Sequence, residues 1–278
     1  MAAPLFLKKI FANPAGERFV LALRKIPLLN MVSIACMPKH FHYKKNSVRE
    51  VSRNDIVYHL DLSNWIEWNL FFKNKINDEE NLYSLVKENM TVLDIGANMG
   101  ELTLNFAKIV SEKGRIISFE PSWENFSKLS QNVFLNLKLK DRIRLYNVAL
   151  GDTSGNSFLQ KNDEHNSGMN SIGLTGEAVV MKSLDDIFSE EKFEHCDLIK
   201  IDVEGFELKI LKGAETVIKK FKPILYLEVN NDLMKPHGDS VSDLMRWFNS
   251  NCYKIIHPVM SEEKFYSGHY DITAISSE

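Results

Sequence analysis

From residue 81 onward the chain alternates two hydrophobic patterns. Short runs rich in Val, Ile and Leu are "TVLDI" (91–95), "RIISFE" (115–120), "IRLYNVAL" (143–150), "DLIKID" (197–202) and "ILYLEV" (224–229). Between them, apolar residues recur at helical spacing. Runs of this kind suit strands buried on both faces, and their alternation with helices predicts βαβ units around a mostly parallel sheet. "YKIIHP" and "DITAIS" predict two further strands near the end. The helices announce their ends. Ser122 can cap "WENFSKLSQNVFLNL", and Ser183 with Asp186 has capping-box spacing. "FELKILKGAETVIKKF" turns Phe206, Ile210, Ala214, Val217, Ile218 and Phe221 toward one face until Pro223 stops it. The Gly-, Asn- and Ser-rich stretch from Ser154 to Val180 breaks the rhythm and predicts a hairpin or a mobile loop over the sheet's edge.

Upstream, "DIVYHLDLS" alternates as a strand would. "NWIEWNLFF" sets Trp65, Trp68, Phe71 and Phe72 at helical spacing, the pattern of core packing, and the polar "NDEE" (77–80) leads into the next helix. The pattern divides the chain into an N-terminal helical and hairpin extension, 1–80, and a main domain, 81–278. "FVLALRKIPLLNMVSIACMP" (19–38) is apolar, but Arg24, Lys25 and Pro27 interrupt it short of a membrane span, and it lies too far in for a signal peptide. A lid or a homodimer face is the expected role, with weak membrane association through this segment left open.

Composition changes the picture little. Apolar residues make up 44% and charged residues 26%, as in an ordinary globular protein, and a formal charge of −3 gives no electrostatic footprint for nucleic acid. Cys36, Cys196 and Cys252 are odd in number and far apart, which fits neither a zinc ribbon nor a disulfide framework. A reducing, cytoplasmic setting is the simplest expectation.

The chemistry gathers at strand ends. "DIGANMG" places Asp94, Gly96, Asn98 and Gly100 in the first strand-to-helix turn, where an open α/β sheet binds ligands. Glu120 closes the next strand, positioned to accept hydrogen bonds from both hydroxyls of a ribose. The turn lacks the middle glycine that seats a pyrophosphate, and Asp94 would repel one. Both features favour the cationic S-adenosylmethionine over NAD.

These residues also resemble a known family. "VLDIGANMGELTLNFA", "ISFEPSWENFSKLSQNVFLN", "NVALGDTSG", "NSGMNSI", "SLDDIF", "LIKIDVEGFELKILKGA" and "PILYLEVN" occur in the order seen in FkbM methyltransferases, over about residues 81–231. The resemblance implies a class I, Rossmann-like methyltransferase fold with a mostly parallel seven-stranded sheet ending in a hairpin. It implies methyl transfer, usually to a hydroxyl on a sugar, polyketide or other natural product. It also implies that Asp94, Gly96, Asn98 and Gly100 surround the methionine part of the cofactor, that Glu120 holds the ribose, that Trp123 covers the adenine and that Asp152 meets its amine.

For transfer to oxygen, the residues to align and deprotonate the acceptor stand in "KIDVEG" (Lys200, Asp202, Glu204) and "LEVNND" (Glu228, Asn230). Two mechanisms fit. Asp202, Glu228 and Asn230 would hold Mg2+, or Glu204, Asp202 or His237 would act as a metal-free general base. Lys200, alternating between buried positions, also has a plain structural reading, as a side chain that snorkels or pairs with a neighbour. The acceptor is expected to be a small molecule or glycan. N-methyl transfer, an NAD-dependent oxidoreductase and a non-catalytic cofactor-binding domain are the alternatives.

Overall fold

The computed structural model describes residues 8–73, 80–163, 165–258 and 269–277. The chain forms two compact units, residues 1–77 with 163–168, and residues 78–162 with 169–278.

In the first unit, Asn13 caps the helix Pro14–Arg24 by accepting the N–H groups of Ala15 and Gly16, with Pro14 in the first turn. Glu17 of this helix is buried, and both its oxygens accept from the Arg49 guanidinium at 2.7 and 2.8 Å. Arg49 belongs to strand β1 (Val48–Arg53), which pairs antiparallel with β2 (Ile56–Asp61). Asn54 and Asp55 between them both have positive φ (49° and 62°), as a tight two-residue hairpin requires. The helix Trp65–Lys73 follows, and it is tied by Trp68 Nε1 donating to the Pro38 carbonyl at 2.9 Å. Trp68, Phe71 and Phe72 are buried core residues, while Trp65 is 39% exposed. His40 and His42 lie in a single 3-10 turn.

The second unit is built on a seven-stranded sheet of β3 (Thr91–Ile95), β4 (Arg115–Phe119), β5 (Ile143–Tyr146), β10 (Leu198–Ile201), β11 (Ile224–Asn230), β12 (Tyr253–His257) and β13 (His269–Ser276). The order is β12-β13-β11-β10-β3-β4-β5, parallel except where β13 runs antiparallel to β11 and β12. Strand order reverses between β3 and β10, which makes their carboxyl ends the natural ligand crevice. Both faces are buried. Leu93, Ile95, Ile117, Phe119, Ile199, Ile201, Leu225 and Leu227 enter one core with the helices Leu184–Glu191, Glu215–Phe221 and Val241–Ser250. Their sequence neighbours Val92, Ile116, Leu198 and Tyr226 enter a second core with Phe106 of the helix Glu101–Ile109. That double burial is why the strands read as continuous apolar runs.

Two local expectations change, and one that left two alternatives open resolves to the hairpin. "IRLYNVAL" is not one strand: β5 stops at Tyr146, Asn147 turns its amide to the carbonyls of Glu120 and Pro121 (2.9 and 3.0 Å), and β6 (Ala149–Leu150) joins another sheet. That sheet, β6-β9-β7-β8, is formed with β7 (Gly155–Lys161), β8 (Asn170–Gly173) and β9 (Glu177–Lys182), so the Gly- and Ser-rich stretch is hairpin-paired structure. The expected helix over 206–221 is two, Glu207–Lys212 and Glu215–Phe221. Gly213 lies between them, where a Cβ would meet the Gly151 carbonyl oxygen at 1.9 Å. Among the described residues no helix is long and apolar enough to cross a membrane.

Candidate active site

The turn after β3 folds back on its neighbours. The N–H groups of Gly96 and Ala97 both donate to the Phe119 carbonyl at 3.0 Å, and the Asn98 N–H donates to Glu120 Oε2 at 2.8 Å. Gly96, Asn98 and Gly100 all have positive φ (80°, 49° and 92°), so the left-handed turn needs its glycines. The space of the missing Cβ atoms is filled by protein: a Cβ on Gly96 would meet the Asp202 carbonyl oxygen at 1.9 Å, and one on Gly100 would meet Leu129 Cδ1 at 2.5 Å. The glycines bring the turn hard against the end of β10.

Asp94 does not face the crevice. It is fully buried, with Oδ2 accepting the Thr103 hydroxyl at 2.6 Å and Oδ1 lying 3.5 Å from Lys200 Nζ. In register it stands between Ser118 on β4 and Lys200 on β10. The Thr103 hydroxyl also meets that of Ser118 at 2.9 Å, which completes a polar lock under the helix Glu101–Ile109. Lys200 is 3% exposed and also reaches Asp202 at 3.4 Å and the carbonyls of Ile95 and Gly96 at 3.4 and 3.2 Å. Burial alone would lower its pKa, but Asp202, Asp94 and Glu228 outweigh burial and raise it. Lys200 is therefore a fixed cation, unable to serve as a base at neutral pH.

Glu120 is 5% exposed, and its second oxygen accepts the Ser122 N–H at 2.9 Å. Burial pushes its carboxyl up to about 7 despite the bonds from Ser122, Asn98 and Asn125. Oε1 also accepts from the Asn125 side-chain amide at 3.5 Å, which leaves a lone pair on Oε2, so a donor supplied by a ribose would stabilise the ionised form that the protein alone does not. The site fits a nucleoside on that ground. Trp123 stands nearby in sequence with its side chain 63% exposed and its ring 6.1 Å from Phe126. A flat exposed indole of this kind can cover a base. Asp152 is exposed and lies 3.5 Å from Lys209 Nζ.

A model of the Methyltransferase FkbM domain matches residues 94–255. The chain belongs to the FkbM methyltransferase family. Two curated relatives are methyltransferases by name. Hexuronic acid methyltransferase AglP of Haloferax volcanii is 24% identical over 134 residues, which is 48% of this chain and 53% of AglP. The 2-O-methyltransferase NoeI of Sinorhizobium fredii is 26% identical over 166 residues, 53% of this chain and 66% of NoeI. The chain thus spans between half and two thirds of each. A solved FkbM methyltransferase from Methylobacillus flagellatus superposes with a TM-score of 0.47 at 19% identity, covering 72% of this chain and 46% of that one.

In this FkbM chain the acids cluster as the sequence suggested, with changes of membership. Burial would raise Asp202, but Lys200 and a hydrogen bond with Glu228 hold it below its ordinary value. Its side chain is 44% exposed and opens outward. Burial and the Asp202 charge raise Glu228, so Asp202 is the more acidic of the two coupled carboxyls. Glu204 sits in a left-handed turn (φ 57°) before Gly205 (φ 101°), ahead of the helix Glu207–Lys212. Burial, then Asp202, raises its carboxyl to about 7.

Two members were missed. His269 on β13 hydrogen-bonds Glu228 through Nε2, because the antiparallel pairing sets His269 beside Asn230. Glu207 is 1% exposed and is also raised to about 7 by burial, with Oε1 accepting the Gly205 N–H at 3.0 Å. The usable signals were a histidine opening the last strand and a second acid three residues after Glu204. His237 is not brought to the acids by any contact seen. Its ring packs edge-on against Phe206 at 5.2 Å, and burial lowers its pKa. Asn230 Oδ1 accepts the Asp232 N–H at 3.0 Å as a helix cap, which diverts it from the expected metal set. Among the described residues no group of three or more His, Cys, Asp or Glu is arranged to hold a metal ion.

Proposed function

We propose that this chain transfers a methyl group from S-adenosylmethionine to a hydroxyl of a sugar or similarly hydroxylated small acceptor, in the cytoplasm. The observation that carries the reading is the joining of two ends. The turn over Glu120 has the form of a nucleoside seat, and a half-open acid cluster starts at the end of the next strand, β10. The bound cofactor would supply a carbon already activated by its sulfonium, so the protein's work is alignment and proton removal. Glu120 would bind the ribose and Trp123 would cover the adenine. Asp202, ionised and partly exposed, would accept a hydrogen bond from an adjacent hydroxyl of the acceptor and so orient the reacting oxygen toward Glu204. Glu204, with its carboxyl near neutrality, would take the proton as transfer proceeds. Lys200 and Glu228 would position Asp202, and His269 would position Glu228. The sugar acceptor rests on the name of AglP, the transfer to oxygen on the name of NoeI, and both on an acid-rich cleft suited to hydroxyl donors. With Asn230 capping a helix, the expected metal set is reduced to the carboxylates of Asp202 and Glu228, and the reading takes the metal-free general base over Mg2+. The test is transfer of a labelled methyl group from S-adenosylmethionine to a panel of hexoses and hexuronic acids, with and without EDTA. Labelled product that persists in EDTA and disappears in Asp202→Asn supports the reading; loss of activity in EDTA, restored by Mg2+, would return the metal mechanism.

A further inference from the structure

The helix Asn30–Cys36 is built inside out. Its serine, Ser33, is fully buried, with the hydroxyl donating to the Asn30 carbonyl at 2.7 Å. Its large apolar residues point to solvent: Met31 is 82% exposed, Ile34 53% and Val32 45%. The turn before it continues the face with Leu28 at 93% and Ile26 at 47%. A scattered exposed Leu means little, but five large apolar side chains exposed within nine residues mark a surface that something covers.

The charge around this face says what. Residues 8–45 hold eight Lys and Arg, among them the exposed Lys9, Arg18, Lys25 and Lys44, and a single acid. That acid is Glu17, already paired with Arg49. The whole chain is net acidic, so the basic excess is concentrated here. We propose that this face docks on the surface of an anionic lipid bilayer, with Leu28, Met31 and Ile34 inserted among the acyl chains and the basic residues against the headgroups. The five apolar side chains exposed over 26–34 are all aliphatic, which suits hydrocarbon; Phe19 and Phe41 are exposed elsewhere in the segment, and nucleic acid would call for stacking aromatics or base-reading amides on the face itself. A second copy is disfavoured because a two-fold contact would press two strongly basic faces together. Insertion here would be interfacial, since no described helix is long enough to span.

The test is flotation of the full chain with phosphatidylcholine vesicles, with and without about one third phosphatidylglycerol, at low and high salt. Binding to the anionic vesicles only, weakened by salt and reduced at least about tenfold in Leu28→Glu/Met31→Glu with an unchanged melting temperature, is the expected result. Because both side chains lie in solvent, this variant should fold; Lys25→Glu/Lys44→Glu provides a second, purely electrostatic variant and should weaken binding by more than about fivefold. Equal binding to neutral vesicles, no binding, or binding indifferent to both variants would overturn the proposal. So would a vesicle-free dimer that Leu28→Glu/Met31→Glu splits, or tighter binding to single-stranded RNA than to the anionic vesicles.

Discussion

Replacing Lys200 with methionine probes the centre of the fold and of the candidate site together. The ammonium lies 3.5 Å from Asp94 and 3.4 Å from Asp202. At an effective dielectric constant of about 20, each attraction is worth roughly 5 kcal/mol, much of it offset by desolvating the charges. The two carboxylates do not lose equally. Asp202 has a side chain 44% exposed and can turn to water, whereas Asp94 has none of its surface exposed. Lys200→Met therefore leaves one uncompensated buried charge, and it should lower the unfolding free energy by about 3–5 kcal/mol in urea denaturation. Adding Asp94→Asn removes that charge. The double variant should recover about 1–3 kcal/mol relative to the sum of the single changes. A loss below about 1 kcal/mol in Lys200→Met, or strict additivity in the double variant, would refute the claim that this pair locks the first turn to β10.

Other outcomes follow from the same geometry. Gly96→Ala should destabilise by at least about 2 kcal/mol and abolish nucleoside binding, since the turn is left-handed and the new methyl would meet the Asp202 carbonyl; calorimetry and thermal melting check both. Glu207 is raised from its ordinary 4.5 to about 7, so the stability it contributes as a neutral carboxyl is complete below 4.5 and lost as pH rises through 7. That loss is about 3 kcal/mol, and Glu207→Gln should flatten the corresponding slope in stability against pH. Glu204, also near 7, should give kcat/KM a rising limb with an apparent pKa about 7 that Glu204→Gln removes with at least about a hundredfold loss of rate.

The alternation of apolar runs and helical segments made the parallel core legible, because strands buried on both faces leave no other pattern. The split of "IRLYNVAL" was hidden because Asn147 leaves the ladder for carbonyls at the end of another strand, a contact no local pattern encodes. The break at Gly213 likewise depends on the distant Gly151. The acids of "KIDVEG" and "LEVNND" were readable from their places at strand ends. Their division of labour was not, because it depends on burial and on which neighbour is the more acidic. Asp94 looked like a ligand contact for the same reason: position at a strand's end is visible in sequence, but the direction of a side chain among Thr103, Ser118 and Lys200 is not.

The central claim is that the turn and Glu120 form a seat for S-adenosylmethionine. Calorimetric titration of the full chain with S-adenosylhomocysteine and, separately, with NAD tests it most directly, repeated on Glu120→Gln, which keeps the side chain's shape. The account predicts binding of S-adenosylhomocysteine alone, weakened about tenfold or more by the substitution as charge-assisted bonding to the ribose is lost. Binding of NAD with no response to S-adenosylhomocysteine would contradict it.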